Sequence, residues 1–171
     1  LPYYLSGQVP TLTDAWFESM SGFTTTGATI IPDLEVITHG LLFWRSLTQW
    51  IGGMGIIVLS IAILPIFGLN GMQLYAAEVT GLTYEKLSPR IADTAKMMWM
   101  TYVILTASEI LGLWLCGMPI FDAVCHSFST IATGGFSTHN NSLEFYDSAA
   151  IHYIVTFFMF ISGINFVLLI Y

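Results

Sequence analysis

Two short strips of this chain carry the residue types that could hold a bare cation. Thr25-Thr26-Gly27-Ala28-Thr29 and Thr133-Gly134-Gly135-Phe136-Ser137 combine carbonyl oxygens, hydroxyls and glycines. Backbone carbonyls that replace an ion's hydration shell are the basis of a potassium filter. A strand that turns its carbonyls toward one axis needs backbone angles that a Cβ resists, and Gly27 and Gly135 suit that need. One Thr/Gly run is a weak signal, because such runs occur in many loops. Here the strips close two copies of one segment. Residues 14–29 and 122–137 align without a gap at an offset of 108. Asp14/Asp122, Ala15/Ala123, Ser19/Ser127, Ser21/Ser129, Thr25/Thr133 and Gly27/Gly135 are identical across the copies. An internal repeat of this kind decides the architecture.

The strips need something to hold them. Each follows a short segment with helical character, and each precedes a long apolar run. Residues 11–24 are too few to cross a bilayer as a helix. Thr11 or Thr13 can cap that segment, with Asp14 and Glu18 near its N-terminus, where the helix dipole favours negative charge. The second copy opens after Pro119, a residue suited to a first helical position, with Asp122 in its first turn. Both copies read as half-helices that enter a membrane and stop. Their negative C-terminal ends then point at the membrane centre, which suits a cation. Irregular backbone at that depth is tolerated only where it is buried in protein or lines a water-filled path.

Composition supports a membrane setting. Charged residues make up 9% and hydrophobic residues 55%, against roughly 25% charged in a soluble domain. Residues 46–77 and 148–171 carry no Asp, Glu, Lys or Arg, and residues 97–121 carry only Glu109. Each run can hold one spanning helix. Of the four basic residues, Lys86, Arg90 and Lys96 fall between the first and second spans, and Arg45 lies near the outer end of the first. The positive-inside rule makes that stretch cytoplasmic. A short interfacial helix is expected over Met72–Val79, followed by a loop, with the second span entering near Ile91 or Met97. The half-helices then lie on the outer side among Asp14, Glu18, Asp33, Glu35, Asp122, Glu144 and Asp147, an acidic mouth that gathers cations and repels anions. The expected organisation is repeat one over residues 1–77 (half-helix, filter, second span), a cytoplasmic linker over 78–96, and repeat two over 97–171 (span, half-helix, filter, second span). The chain opens at Leu1 with no signal-peptide pattern and closes inside an apolar run. It is expected to be a piece of a longer protein.

At these residues the chain resembles the Trk/Ktr potassium-uptake superfamily, and within it the TrkH-type membrane subunit. The two strips look like that family's first and second filter segments, and Phe43-Trp-Arg-Ser-Leu-Thr-Gln-Trp-Ile-Gly-Gly-Met-Gly55 is also similar. The resemblance covers essentially the whole chain. It implies an all-α membrane protein of tandem membrane-pore-membrane repeats, four around one pore, of which two are present here. It implies ion-facing carbonyls at Thr25, Thr26 and Gly27 and at Thr133, Gly134 and Gly135. Ala28-Thr29 and Phe136-Ser137 stand where potassium channels have Tyr-Gly, which implies a less stringent filter that passes rubidium. Potassium is the implied transported ion, with no organic cofactor and no nucleic acid. The implied partners are the remaining repeats, a second copy in a homodimer, a cytoplasmic nucleotide-binding regulatory subunit docking on residues 68–96, and the lipid of a bacterial inner membrane.

The second spans also align, at an offset of 110, pairing Gly53 with Gly163. Glycines there suit close packing more than a gating hinge. Asn165, inside a span, needs a hydrogen-bond partner and either faces the cavity below the filter or bonds a neighbouring helix. Arg45 is expected to form a structural salt bridge with Glu18 or another acid beside the half-helix, the alternative being a role in the electrostatics of the ion path. Glu109 is expected to meet a partner outside this sequence, with proton or cation binding as the alternative. Cys116 and Cys125 read as small buried hydrophobes, the four histidines as scattered, and Trp and Tyr near span ends as interfacial anchors. Two other functions compete. A re-entrant-loop transporter of another small solute would want half-helix N-termini or basic residues at depth if that solute were an anion. An intramembrane enzyme would need a nucleophile with a base or clustered ligands, and no spacing assembles them. The chain is read as a pore component and not an enzyme.

Overall fold

The computed structural model describes the backbone over residues 2–63 and 87–164 and the side chains over 2–55 and 96–164. The expected interfacial helix at Met72–Val79, the linker up to residue 86 and Asn165 lie outside the described residues. Within them the elements are α1 (Pro2–Leu5), α2 (Leu12–Phe23), α3 (His39–Ile63), α4 (Leu87–Leu115), α5 (Ile120–Ile131), a single 3-10 turn (Ser142–Phe145) and α6 (Ala149–Ser162). No strand occurs among the described residues, and the fold is all-α.

The two half-helices are α2 and α5, and each has 12 residues. At 1.5 Å per residue each is about 18 Å long, well short of a hydrocarbon core of roughly 30 Å. The Thr11 hydroxyl caps α2 by accepting from the Asp14 N–H at 3.1 Å, so the cap is Thr11 and not Thr13. Pro119 is the N-cap of α5 and not its first helical residue, and the second copy opens after it as expected. Its φ of −53° suits a helix but its ψ of 139° is extended, so the helix starts at Ile120.

Helix α4 starts at Leu87, ahead of its apolar stretch, which begins at Lys96 beside the expected span entry at Met97, the alternative being Ile91. Pro89 permits this because it falls in the first turn, where backbone N–H groups have no helical acceptor to lose. Lys96–Leu115, with mean hydropathy 1.4, is long and apolar enough to cross a membrane, and is the one such helix among the described residues. Helix α3 has 25 residues, including Arg45, and α6 is a shorter apolar helix of 14 residues.

Helix α5 packs against α3, α4 and α6, while α2 packs against α3. Helix α3 therefore touches both half-helices. One core cluster gathers Tyr3, Ala15, Leu34 and Leu41, with Phe121 of repeat two packed on it. A second joins Leu113, Ala123, Ile151 and Val155 within repeat two. A third, Met54, Tyr102 and Ile131 with Trp50 against them, lies at the seam between repeats.

Candidate functional site

Both half-helices end in the same hydrogen-bonded turn. In the first copy Thr25 N–H donates to Gly22 O at 3.0 Å and Thr26 N–H to Ser21 O at 3.0 Å. In the second, Thr133 N–H donates to Thr130 O at 2.9 Å and Gly134 N–H to Ser129 O at 2.8 Å. This pair of bonds is the Schellman motif, which closes a helix through one left-handed residue. Glycine usually takes that place. Here Thr25 and Thr133 take it, each with φ 54°, a costly conformation for a β-branched residue. Two residues on, Gly27 (φ 78°) and Gly135 (φ 83°) are left-handed again. Thr26 and Gly134, between them, are not. Alternation of hand sets successive N–H groups on one side and carbonyls on the other. The first N–H groups of each strip thus turn back to the helix. Among the described residues no hydrogen bond is accepted by the carbonyls of Thr25, Thr26, Gly27, Thr133, Gly134 or Gly135.

The strips lie side by side, because a Cβ on Gly27 would overlap the carbonyl oxygen of Gly134. The space beside the second strip is a cavity of about 290 Å³ lined in part by His126, Ser129, Gly134, Gly135 and Met159.

Arg45 meets Glu18, the first partner named for it, through Nε to Oε1 at 2.9 Å, with the two side chains 1% and 0% exposed. A buried charge of either sign is strongly unfavourable without such a partner. Glu18 also accepts from the Thr29 hydroxyl at 2.9 Å and the Ile30 N–H at 3.2 Å, just past the first strip. Glu18 is therefore withdrawn from the expected acidic mouth. Arg45 Nη1 donates to Ser137 O at 3.3 Å, and its guanidinium sits 4.2 Å from the centre of the Phe136 ring.

Gln49 was not singled out from the sequence. Its Oε1 accepts the Phe136 N–H at 3.1 Å, and its side chain is 0% exposed. The rule that marks polar residues in apolar spans, applied to Arg45 and Asn165, marks Gln49 equally. Gly53 packs tightly, since a Cβ there would come within 3.0 Å of Ala132. Gly163 caps the described part of α6 and has only ordinary contacts.

Two expectations change. Glu109 is 0% exposed and lies beside Thr130 of the second half-helix, so its surroundings come from this chain and not from a partner outside it. The histidines are not all scattered: His126 and His139 flank Tyr146 with ring centres 6.1 and 5.8 Å away, and His139 lies 3.7 Å from Asp122. Trp50 lies inside the bundle, its indole N–H donating to Thr106 at 3.1 Å. Cys125 is buried and Cys116 half-buried, and both are free thiols. Among the described residues no group of three or more His, Cys, Asp or Glu could hold a metal ion.

The family model described as TrkH, cation transport protein, matches residues 1–171. The Trk system potassium uptake protein TrkH of Salmonella typhimurium is 57% identical over 157 residues, 91% of this chain and 32% of its own length. The protein of the same name from Escherichia coli K12 is 56% identical over the same shares, and TrkG of that strain is 43% identical over 92% of this chain and 33% of its own. The crystal structure of the potassium transporter TrkH from Vibrio parahaemolyticus superposes with a TM-score of 0.76 at 49% identity, covering 92% of this chain and 31% of that one. The chain thus spans about a third of the length of the curated relatives it matches. With the family model matched from end to end and identities well above a third, the chain belongs to the TrkH family of cation transport proteins.

Proposed function

We propose that this chain supplies two filter strips of a potassium-uptake pore, the membrane subunit of a Trk-type system. The observation that carries this reading is the matched pair of strips. Each leaves a half-helix through a Schellman turn, alternates in backbone hand, and keeps three carbonyls free of protein donors among the described residues. Such carbonyls can replace a hydration shell, and both helix C-termini add negative potential. The ion-binding residues are Thr25, Thr26 and Gly27 with Thr133, Gly134 and Gly135, flanked by Ala28, Thr29, Phe136 and Ser137. Transport is passive permeation driven by the membrane potential, worth about 2.3 kcal/mol per charge for each 100 mV.

The same reading includes a multi-pass protein of the bacterial inner membrane, with residues 78–96 as a cytoplasmic linker between repeats 1–77 and 97–171. Further repeats of the polypeptide complete the ring, a second copy forms a homodimer, and a nucleotide-binding regulatory subunit docks on the cytoplasmic side. The relatives are named as potassium uptake proteins of a Trk system, which supports a transport role in a membrane. The test is rubidium-86 uptake into liposomes by the full-length protein, with potassium or sodium as competitor, for wild type and Gly135→Ser. Potassium should compete far better than sodium, and Gly135→Ser should alter that preference. Unaltered preference in the variant would make the strip a structural turn, and absence of any cation flux would remove the pore reading.

A further inference from the structure

The two strips share a backbone but not their supports. The first is held by its own half-helix: Ser21 of α2 donates to Ala28 O at 2.5 Å, and Glu18 accepts from Thr29 and Ile30. In the second copy the equivalent positions are Ser129 and His126. Ser129 Oγ and His126 Nε2 are both buried and have no hydrogen-bond partner among the described residues. The second strip is instead held by α3, the span of repeat one. Gln49 accepts the Phe136 N–H, and Arg45 donates to Ser137 O while lying over the Phe136 ring. A Cβ on Gly134 would overlap the Gln49 amide, so the strip rests directly on that side chain. Repeat two cannot return the favour from α6: at the offset of 110, Val155 replaces Arg45 and Met159 replaces Gln49.

We propose that Arg45 and Gln49 are positioning residues that set the register of the second strip, so that ion discrimination at filter two is controlled by the span of repeat one. This rests on the filter reading above. Arg45 ties both strips at once, because its Glu18 partner holds the end of the first while its Nη1 holds the second. A lysine at 45 would keep the charge for Glu18 but lacks the fork that reaches a second acceptor and the flat face that stacks on Phe136. A methionine at 49, the residue found at the equivalent place in repeat two, would keep the bulk and remove the acceptor for Phe136.

The experiment uses the full-length protein in liposomes and measures rubidium-86 uptake against potassium and sodium for wild type, Arg45→Lys and Gln49→Met, beside thermal melting in detergent. Both variants are predicted to take up rubidium and melt close to wild type. Their preference for potassium over sodium should fall by about tenfold, the loss expected from one hydrogen bond to a positioned group. A merely structural role would lower melting and total uptake together and leave the preference unchanged. Wild-type preference in both variants overturns the proposal while leaving the filter reading intact. Absence of cation uptake by wild type overturns the filter reading itself. Should Arg45→Lys fail to reach the membrane, Gln49→Met decides alone, since an uncharged side chain of similar size suits an apolar span.

Discussion

Gly27 and Gly135 share a repeat position and a left-handed backbone, yet their surroundings differ. A Cβ at Gly27 would overlap the Gly134 carbonyl, whereas nothing lies within 4 Å of one at Gly135. Gly27→Ala should therefore impair both folding and uptake. Gly135→Ala should fold, carrying only left-handed strain of about 1–2 kcal/mol. Detergent melting and rubidium uptake of the two variants, compared side by side, check this. Equal behaviour would mean the strips do not touch as described. Both glycines were legible in the sequence because the repeat aligns them. The left-handed threonines were not, since residue type argues against that conformation at Thr25 and Thr133. Only the bonds from Thr26 to Ser21 and from Gly134 to Ser129 impose it.

Among the elements, the outer connections tie the repeats in a way that pH can probe. Asn140 donates to Asp33 Oδ1 at 2.8 Å and accepts from the Leu34 N–H at 2.8 Å, bridging the loops that follow the two strips. The Asn140 amide, and then the Glu35 N–H, hold the Asp33 carboxyl below its usual value of 3.8. A carboxyl whose value is lowered by folding adds stability above its unfolded value and loses it as pH falls through the folded one. Asn140→Ala should therefore melt lower than wild type at neutral pH. The Asp33 part of that difference should vanish in acid below the ordinary carboxylate range, while the Leu34 bond remains. A gap independent of pH would show that Asp33 adds nothing. The half-helices themselves were legible from their length, the Thr11 cap and Asp122. The early start of α4 at Leu87 was not, because Pro89 reads as a breaker until its place in the first turn is known.

At the scale of the whole molecule, α3 is the shared wall between repeats. Gly53 faces Ala132 of repeat two and the Tyr102 hydroxyl, while Gly55, half a turn on, has open space beside it. Gly53→Leu should push the second half-helix off the span and abolish uptake, whereas Gly55→Leu should fold. The folded yield in membranes and rubidium uptake of each give the readout. Loss of both variants alike would place the contact elsewhere. On that wall stand Arg45 and Gln49, where the aligned positions of repeat two hold Val155 and Met159.

The sequence by itself determined the all-α membrane class, the duplicated half-helix and strip, the shared position of the two repeat glycines and Glu18 as the first candidate partner for Arg45. Those features are written in local pattern: composition, period, repeat offset, and a lone cation beside an acid in an apolar setting. Tertiary structure alone decided which side chains hold each strip. Sequence repetition suggests that equivalent residues do equivalent work, but Ser129 Oγ and His126 Nε2 have no hydrogen-bond partner among the described residues while Gln49 supports a strip 87 positions away. The support of a backbone strip depends on which helix packs beside it, and that packing brings together residues whose separation along the chain carries no periodic signal.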